Sequence, residues 1–140
     1  MHELDEITRA IVDSAIQIHS KFGPGLLESV HEAVLAQWLV NRGFAIERQK
    51  TIGFEHEGIS FDNAFRLDML VDDRVIVEIK SIEQLAPVHT KQLLTYLRLT
   101  DLHVGLLINF GGATLKEGLR RIVNRLPPSA SPHLRVNRLP

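Results

Sequence analysis

The sequence contains no cysteine, and it has only one tryptophan and one tyrosine among 140 residues. Without cysteine the chain forms no disulfide, no thiolate zinc site and no iron–sulfur cluster, and it has no cysteine nucleophile. No run approaches the roughly 18 consecutive apolar residues of a transmembrane helix. The acidic start, MHELDEITRA, lacks the basic and apolar regions of a signal peptide. We therefore expect a soluble cytoplasmic protein that makes no membrane contact.

The composition is typical of one folded unit. Apolar residues make up 44% of the chain and charged residues 24%, which fits a single domain at this length. We assign residues 1–126 to that domain and residues 127–140 to a tail rich in proline and arginine. Residues 1–63 carry a net charge of -5, whereas residues 116–140 carry +5. The basic segment is either a solvated surface or a contact for phosphate groups.

The spacing of apolar residues predicts helices and strands in a defined order. The second helix is marked by Leu27, Val30, Val34, Trp38 and Leu39. Helices are predicted over 4–20, 26–42, 87–100 and 115–126, and strands over 44–52, 53–61, 65–71, 75–80 and 104–110. This order indicates an α/β fold in which helices flank a mixed sheet, with a helix connecting the last two strands.

Charged residues interrupt two of the apolar strands. Asp68 lies within FRLDMLV, and Glu78 and Lys80 lie within VIVEIK. A charge in a buried strand is costly unless it is paired or binds a metal ion. Glu78 and Lys80 are two residues apart, so their side chains point to the same face of the sheet.

The length of the hairpin connection decides whether Asp68 joins Glu78. A two-residue turn would place these two carboxylates on opposite faces. A three-residue connection over 72–74 would pair Val71 with Val75 and set Asp68 opposite Glu78, with Cβ atoms roughly 4.5–5.5 Å apart. Two carboxylates this close repel each other unless a cation lies between them. We predict the three-residue connection and a divalent metal ion, and carboxylate oxygens suit magnesium or manganese.

The same register would set Arg66 opposite Lys80. A metal ion could polarise a phosphoryl oxygen and activate water, and Lys80 could orient that water or offset charge on the phosphate. An ordinary surface cluster of charges explains the spacing equally well.

Two further features favour a site. Glu28 begins the second helix, where the helix dipole favours an acid, and it could also add a third carboxylate to the metal. His89, Gln92 and Tyr96 lie on one helix face at i, i+3 and i+7. They suit either a ligand cleft or a solvated surface.

Five segments of the chain carry a family resemblance. They are GPGLLESV, FRLDMLV, VIVEIK, VHTKQLLTYL and GLLINFG. In this order they resemble the PD-(D/E)XK nuclease-like superfamily, and more narrowly the small GxxExxY protein family, over roughly residues 4–125. The tyrosine expected three residues after Glu28 is His31 here, so His31 would replace the packing or the hydrogen bond of that ring.

The resemblance implies an αβββαβ core with an extra N-terminal helix. It implies that Glu28, Asp68 and Glu78 surround magnesium, that Lys80 is catalytic, and that Gln92 and Tyr96 line the site. We predict catalytic roles for Asp68, Glu78, Lys80 and Gln92, and substrate contacts for His31, Arg66, His89 and Tyr96.

Three functional hypotheses remain open from the sequence. The first is a magnesium-dependent nuclease that hydrolyses phosphodiester bonds, with DNA the favoured substrate. The second is a non-catalytic module on the same fold that binds nucleic acid or protein. The third is a self-associating structural protein, whose homodimer would cover the faces of a sparsely flanked sheet; a dimer is also compatible with the first hypothesis.

Overall fold

Five strands form one mixed sheet, and their order across the sheet is their order in the sequence. The computed structural model describes residues 2–125, and the predicted tail over 127–140 lies outside the described residues. The elements are α1 (Leu4–Phe22), α2 (Glu28–Asn41), β1 (Ile46–His56), β2 (Ile59–Val71), β3 (Val75–Lys80), α3 (Pro87–Thr100), β4 (Val104–Asn109) and β5 (Leu119–Val123). β3 and β4 are parallel and the other neighbouring pairs are antiparallel. The α/β fold with a mixed sheet is therefore confirmed.

Helices cover both faces of the sheet. One apolar cluster joins α1 and α2 to one face, and a second cluster joins α3 to the other face through Leu93 and Leu97. In α1 the apolar residues recur at helical spacing and are buried, as predicted. Between residues 2 and 125 no helix is long and apolar enough to cross a membrane.

The buried face of α2 differs from the predicted one. Leu27 is 73% exposed and Val30 is 39% exposed. The buried residues of this helix are His31, Glu32, Leu35, Ala36 and Leu39. The prediction failed because it counted apolar residues alone, whereas two polar residues belong to the buried face.

The three strands predicted over 44–71 are two long strands. β1 and β2 form one hairpin that turns at Glu57 and Gly58, which have positive φ angles. The pairing register shifts between Ile52 and Phe54. At Gly53 between them, a Cβ atom would meet the backbone of Phe61 and Asp62. A glycine that looked like a strand boundary is therefore a bulge within a strand.

The helix predicted over 115–126 is wrong. This segment forms a short 3-10 turn, Lys116–Gly118, and then β5, which pairs with β4. Leu119 packs in the cluster of α1 and α2, whereas Ile122 packs in the cluster of α3. The edge of β4 supplies backbone partners to this segment, and that tertiary pairing overrides the local helical pattern.

Candidate active site

The predicted carboxylates meet where β2 and β3 separate. The backbone pairing runs from Val71–Val75 to Met69–Val77, so the three-residue connection is confirmed. Beyond that point side chains replace the ladder: Ile79 N donates to Asp68 Oδ2 at 2.8 Å, and Asp68 N donates to Glu78 Oε2 at 3.3 Å. The sequence thus places both acids at the divergence of two strands.

A local break in β1 and β2 fixes the position of Asp68. Gln49 has a φ of 52°, and it lies between the pairs Arg48–Met69 and Lys50–Leu67. Leu67 packs in the cluster of α3, whereas Met69 packs in the cluster of α1 and α2. The side-chain alternation of β2 is therefore reset at Asp68.

Glu78 is a buried acid with an unsatisfied oxygen. Its exposed fraction is 8%, and its Oε1 has no hydrogen-bond partner among residues 2–125. Burial raises the pKa of Glu78 to about 9. The neighbouring Asp68 adds to this, because it accepts a hydrogen bond from the protonated form and repels the charged one. The Lys80 ammonium and the Asp68 backbone N–H oppose the rise in the pKa of Glu78, but they do not outweigh burial and the Asp68 carboxylate.

Lys80 and Glu28 bring further charge to the same region. Partial burial raises the pKa of Glu28, the Lys80 ammonium opposes that rise, and the Asp68 carboxylate adds to it. The start of α2 therefore faces Asp68 of β2 and Lys80 at the end of β3. The adjoining loop is tied to this end of α2, since Ser81 Oγ donates to Leu26 O at 3.1 Å.

One face of α3 adds polar groups. Burial raises the pKa of the Tyr96 hydroxyl, and the charges of Glu78 and Asp68 raise it further, while the Gln92 side chain opposes the rise through a hydrogen bond. The Tyr96 ring stacks on Phe65 with centroids 4.5 Å apart. Gln92 and Tyr96 therefore lie on the side of α3 that faces the two acids.

His89 lies near Glu28 at the start of α3. Its Nδ1 accepts a hydrogen bond from Ala86 N at 3.0 Å, and a positive charge on this ring would lower the pKa of Glu28. It therefore combines a capping role for the helix with an electrostatic contact to α2.

Two predicted substrate contacts lie elsewhere. Arg66 is exposed and pairs with Thr51 of β1. Its predicted pairing with Lys80 does not form, because the backbone pairing of β2 with β3 covers Met69 to Val71 and does not extend back to Arg66. His31 has no exposed surface, and its ring stacks on Phe110 with centroids 4.3 Å apart. His31 therefore has a packing role in this conformation and presents no atom to a substrate.

A model of the PD-(D/E)XK nuclease superfamily matches residues 5–122. The chain belongs to the PD-(D/E)XK nuclease superfamily. Neither a curated protein nor a solved structure matches the chain significantly.

Nucleases of the PD-(D/E)XK superfamily typically use divalent metal ions, and the paired acids fit such an ion. Asp68 and Glu78 supply hard oxygen ligands side by side, and Glu78 Oε1, which has no hydrogen-bond partner among residues 2–125, is a further possible ligand atom. The described part of the chain holds no cluster of three or more His, Asp or Glu side chains close enough to bind one ion. Glu28 is thus an electrostatic neighbour of the pair and does not complete a three-carboxylate cluster in this conformation.

Sequence reasoning missed Glu32 in this PD-(D/E)XK domain. It is 4% exposed, and it accepts hydrogen bonds from Arg48 Nε at 2.9 Å and Gln49 Nε2 at 2.7 Å. It thereby links α2 to the break in β1 opposite Asp68. The available signal was an acid at helical spacing from Leu35 and Leu39, inside a buried stripe.

Proposed function

We propose that this PD-(D/E)XK protein is a divalent-metal-dependent enzyme that hydrolyses phosphodiester bonds in nucleic acid, with DNA the favoured substrate. The observation that carries the proposal is the Asp68–Glu78 pair. Two carboxylates adjoin at a strand divergence, and one of them keeps a buried oxygen without a partner within residues 2–125. A bound cation would satisfy that oxygen and offset the repulsion.

The residues have distinct roles in this proposal. Asp68 and Glu78 hold a magnesium or manganese ion, which when bound polarises the phosphoryl oxygen and lowers the pKa of water. Lys80 follows Glu78 on β3, and its ammonium stabilises negative charge that develops on the phosphate.

Residues of the two helices position the substrate. Gln92 and Tyr96 orient the reacting groups from α3, and His89 contacts the substrate from the start of that helix. Glu28 faces the same region from α2 and joins the metal ligands when substrate is bound.

A non-catalytic binding module on the same fold is the second candidate. It is favoured by the spacing of the three acids, since Glu28 does not form one cluster with Asp68 and Glu78. The acidic body of the domain also favours a partner other than a bare phosphate backbone. Under either hypothesis we propose that the protein forms a homodimer, which would present two sites. Its sedimentation coefficient tests this.

Calorimetric titration with magnesium and manganese first tests whether the Asp68–Glu78 pair binds a metal ion, as the proposed enzyme requires. The wild-type protein should bind an ion, and the double variant Asp68→Asn/Glu78→Gln should not. The matched control is Glu55→Gln, which removes one exposed acid from the β1–β2 hairpin. It should leave the affinity unchanged.

A cleavage assay with radiolabelled single- and double-stranded DNA completes the test. Metal-dependent cleavage that disappears in the double variant supports the enzyme. Salt-dependent binding without cleavage, for every substrate and both metals, would select the binding module instead.

A further inference from the structure

A cleft of about 820 Å³ opens beside the candidate active site. Its walls come from the segment that follows β3, the segment that follows β4, and the start of β5. The lining includes Glu83, Gln84, Lys116, Glu117 and Arg120. None of these residues belongs to the site described above.

Strand register places the cleft on the same face of the sheet as the catalytic acid. Glu78 pairs with Leu107 of β4, and Leu107 pairs with Arg120 of β5. Paired residues of neighbouring strands project to the same face. Arg120 therefore shares a face with Glu78 and lies two strands away, roughly 10 Å across the sheet.

The walls of the cleft are fixed by Asn109 at the end of β4. This side chain is 2% exposed, and its amide accepts from Ile82 N at 3.0 Å and donates to Ile82 O at 2.9 Å. Gly111 N also donates to it at 3.0 Å. A side chain at Gly111 would collide with the backbone of Ile82. The two loops are therefore locked together, and the cleft exists before any ligand binds.

The lining chemistry fits a nucleotide better than a simple anion. The two cations, Lys116 and Arg120, are matched by the two acids, Glu83 and Glu117, so the cleft has no net charge with which to attract free phosphate. Its donors and acceptors, including the Gln84 amide, can bind a base edge and a phosphate together.

Arg120 is the best-placed group for the phosphate. Its Nη1 donates to Glu117 O and to Leu119 O at 3.1 Å. A guanidinium has five N–H donors, so these two contacts orient the group without using all of its donors. Arginine is also the side chain best suited to paired hydrogen bonds with phosphate oxygens.

We infer that this cleft binds a nucleotide of the substrate strand that flanks the phosphate held at Asp68 and Glu78. The inference rests on the proposed function, since it assigns the substrate's path across the sheet. At about 3.4 Å per nucleotide along a strand, the two-strand separation corresponds to about three nucleotides. The cleft would hold the strand while the acids act on it.

Titration of the full chain with a single-stranded DNA hexanucleotide, followed by amide NMR shifts in EDTA, tests this inference. The amides of Gln84, Gly111 and Gly112 should shift. Arg120→Ala and Lys116→Ala should each weaken binding at least fivefold. Inorganic phosphate should bind at least tenfold more weakly than the hexanucleotide.

The matched control is Arg125→Ala. Arg125 is exposed, pairs with Asp101 and lies beyond the other end of β5, so this variant removes the same charge away from the cleft. Its affinity should change less than twofold. An equal loss in Arg125→Ala, no loss in Arg120→Ala, or phosphate binding as tight as the hexanucleotide would each overturn the inference. Arg120→Lys, which keeps the charge, guards against a folding defect and should retain the fold and bind more weakly than the wild-type protein.

The two proposals fail separately. Binding that depends on Arg120 without cleavage under any metal would leave the cleft assignment intact and remove the enzyme. Cleavage by a protein whose hexanucleotide affinity is unchanged in Arg120→Ala would keep the enzyme and remove the cleft.

Discussion

Glu32 and Glu78 are both almost completely buried, yet their surroundings are opposite. Both carboxylate oxygens of Glu32 accept hydrogen bonds, one from Arg48 and one from Gln49. Glu78 faces another acid, and its Oε1 has no partner in the described range 2–125. Burial alone does not distinguish a structural acid from a functional one. The set of partners separates the two acids: Glu32 is satisfied within the fold, whereas Glu78 is the acid to which we assign a metal ion.

Substitutions of Glu78 and Glu32 should differ most in their effect on the rate of DNA cleavage. We expect Glu78→Gln to lower the rate of DNA cleavage at least about 100-fold, because it removes a charged oxygen ligand at the reacting phosphate. Glu32→Gln should lower the rate at most about tenfold, since Glu32 acts only through neighbouring residues. Initial rates at saturating metal and at a temperature where both variants are folded measure this ratio. Equal rate losses in the two variants would contradict a different role for Glu78 and Glu32.

The second-largest difference between Glu78 and Glu32 should lie in how each affects the pH dependence of the free energy of unfolding. Because the folded-state pKa of Glu78 is raised to about 9 from 4.5, the folded protein retains a proton that the unfolded chain loses. The metal-free protein should therefore lose stability as pH rises from about 5 to about 9, by at most about 1.4 kcal/mol per pH unit from this group.

Urea unfolding at several pH values in EDTA measures that slope. In Glu78→Gln the slope should be reduced, because glutamine does not titrate. Parallel slopes for the wild-type protein and this variant would contradict the raised pKa.

At a single pH, Glu32→Gln and Glu78→Gln should change the free energy of unfolding in opposite directions. At pH 8 without metal, Glu32→Gln should lower the free energy of unfolding by about 1–3 kcal/mol, because it removes charge-assisted hydrogen bonds from a buried acid. Glu78→Gln should raise the free energy, because the buried carboxyl must take up a proton on folding at pH 8 whereas the neutral amide needs none. The urea midpoints of the two variants, compared with the wild type, report both signs. A loss of stability in both would mean that Glu78 is already satisfied.

Gln49→Gly should give the smallest effect. The φ of 52° at Gln49 costs a glutamine about 1 kcal/mol or more, and glycine avoids that cost. The variant also loses the hydrogen bond to Glu32, worth about 1 kcal/mol. We expect a net change within about 1 kcal/mol in the free energy of unfolding, measured as a shift of a few degrees in the midpoint of thermal unfolding. A much larger loss would show that the Glu32–Gln49 bond determines the geometry of β1.

The sequence predicted the parts of the fold that depend on local periodicity. The amphipathic pattern of α1, the uniformly apolar β4 and the register of the β2–β3 hairpin follow from residues close in the chain. It misassigned β5, because pairing with β4 is a contact between elements. It missed the role of Glu32 for the same reason, since Arg48 and Gln49 reach that acid from another strand.

The candidate site was predicted to a similar extent. Charges inside apolar strands singled out Asp68 and Glu78, because such charges are rarely neutral in their effect on stability. Arg66 was placed opposite Lys80 on the assumption that the ladder continues, and side-chain hydrogen bonds end it at Asp68. The burial of His31 against Phe110 is likewise a property of the packed core.

The reset of alternation at Gln49 and Asp68 has a consequence for how this domain can change. Distal to that break the hairpin continues over residues 53–64, which are mostly exposed. The break at Gln49 and Asp68 fixes which face each side chain of β2 occupies next to the site. The hairpin arm over residues 53–64 can therefore gain or lose residues in equal numbers on its two strands without rotating Asp68 away from Glu78. The arm is therefore a place where length and sequence can drift, or a reporter peptide be inserted, while the paired acids keep their geometry.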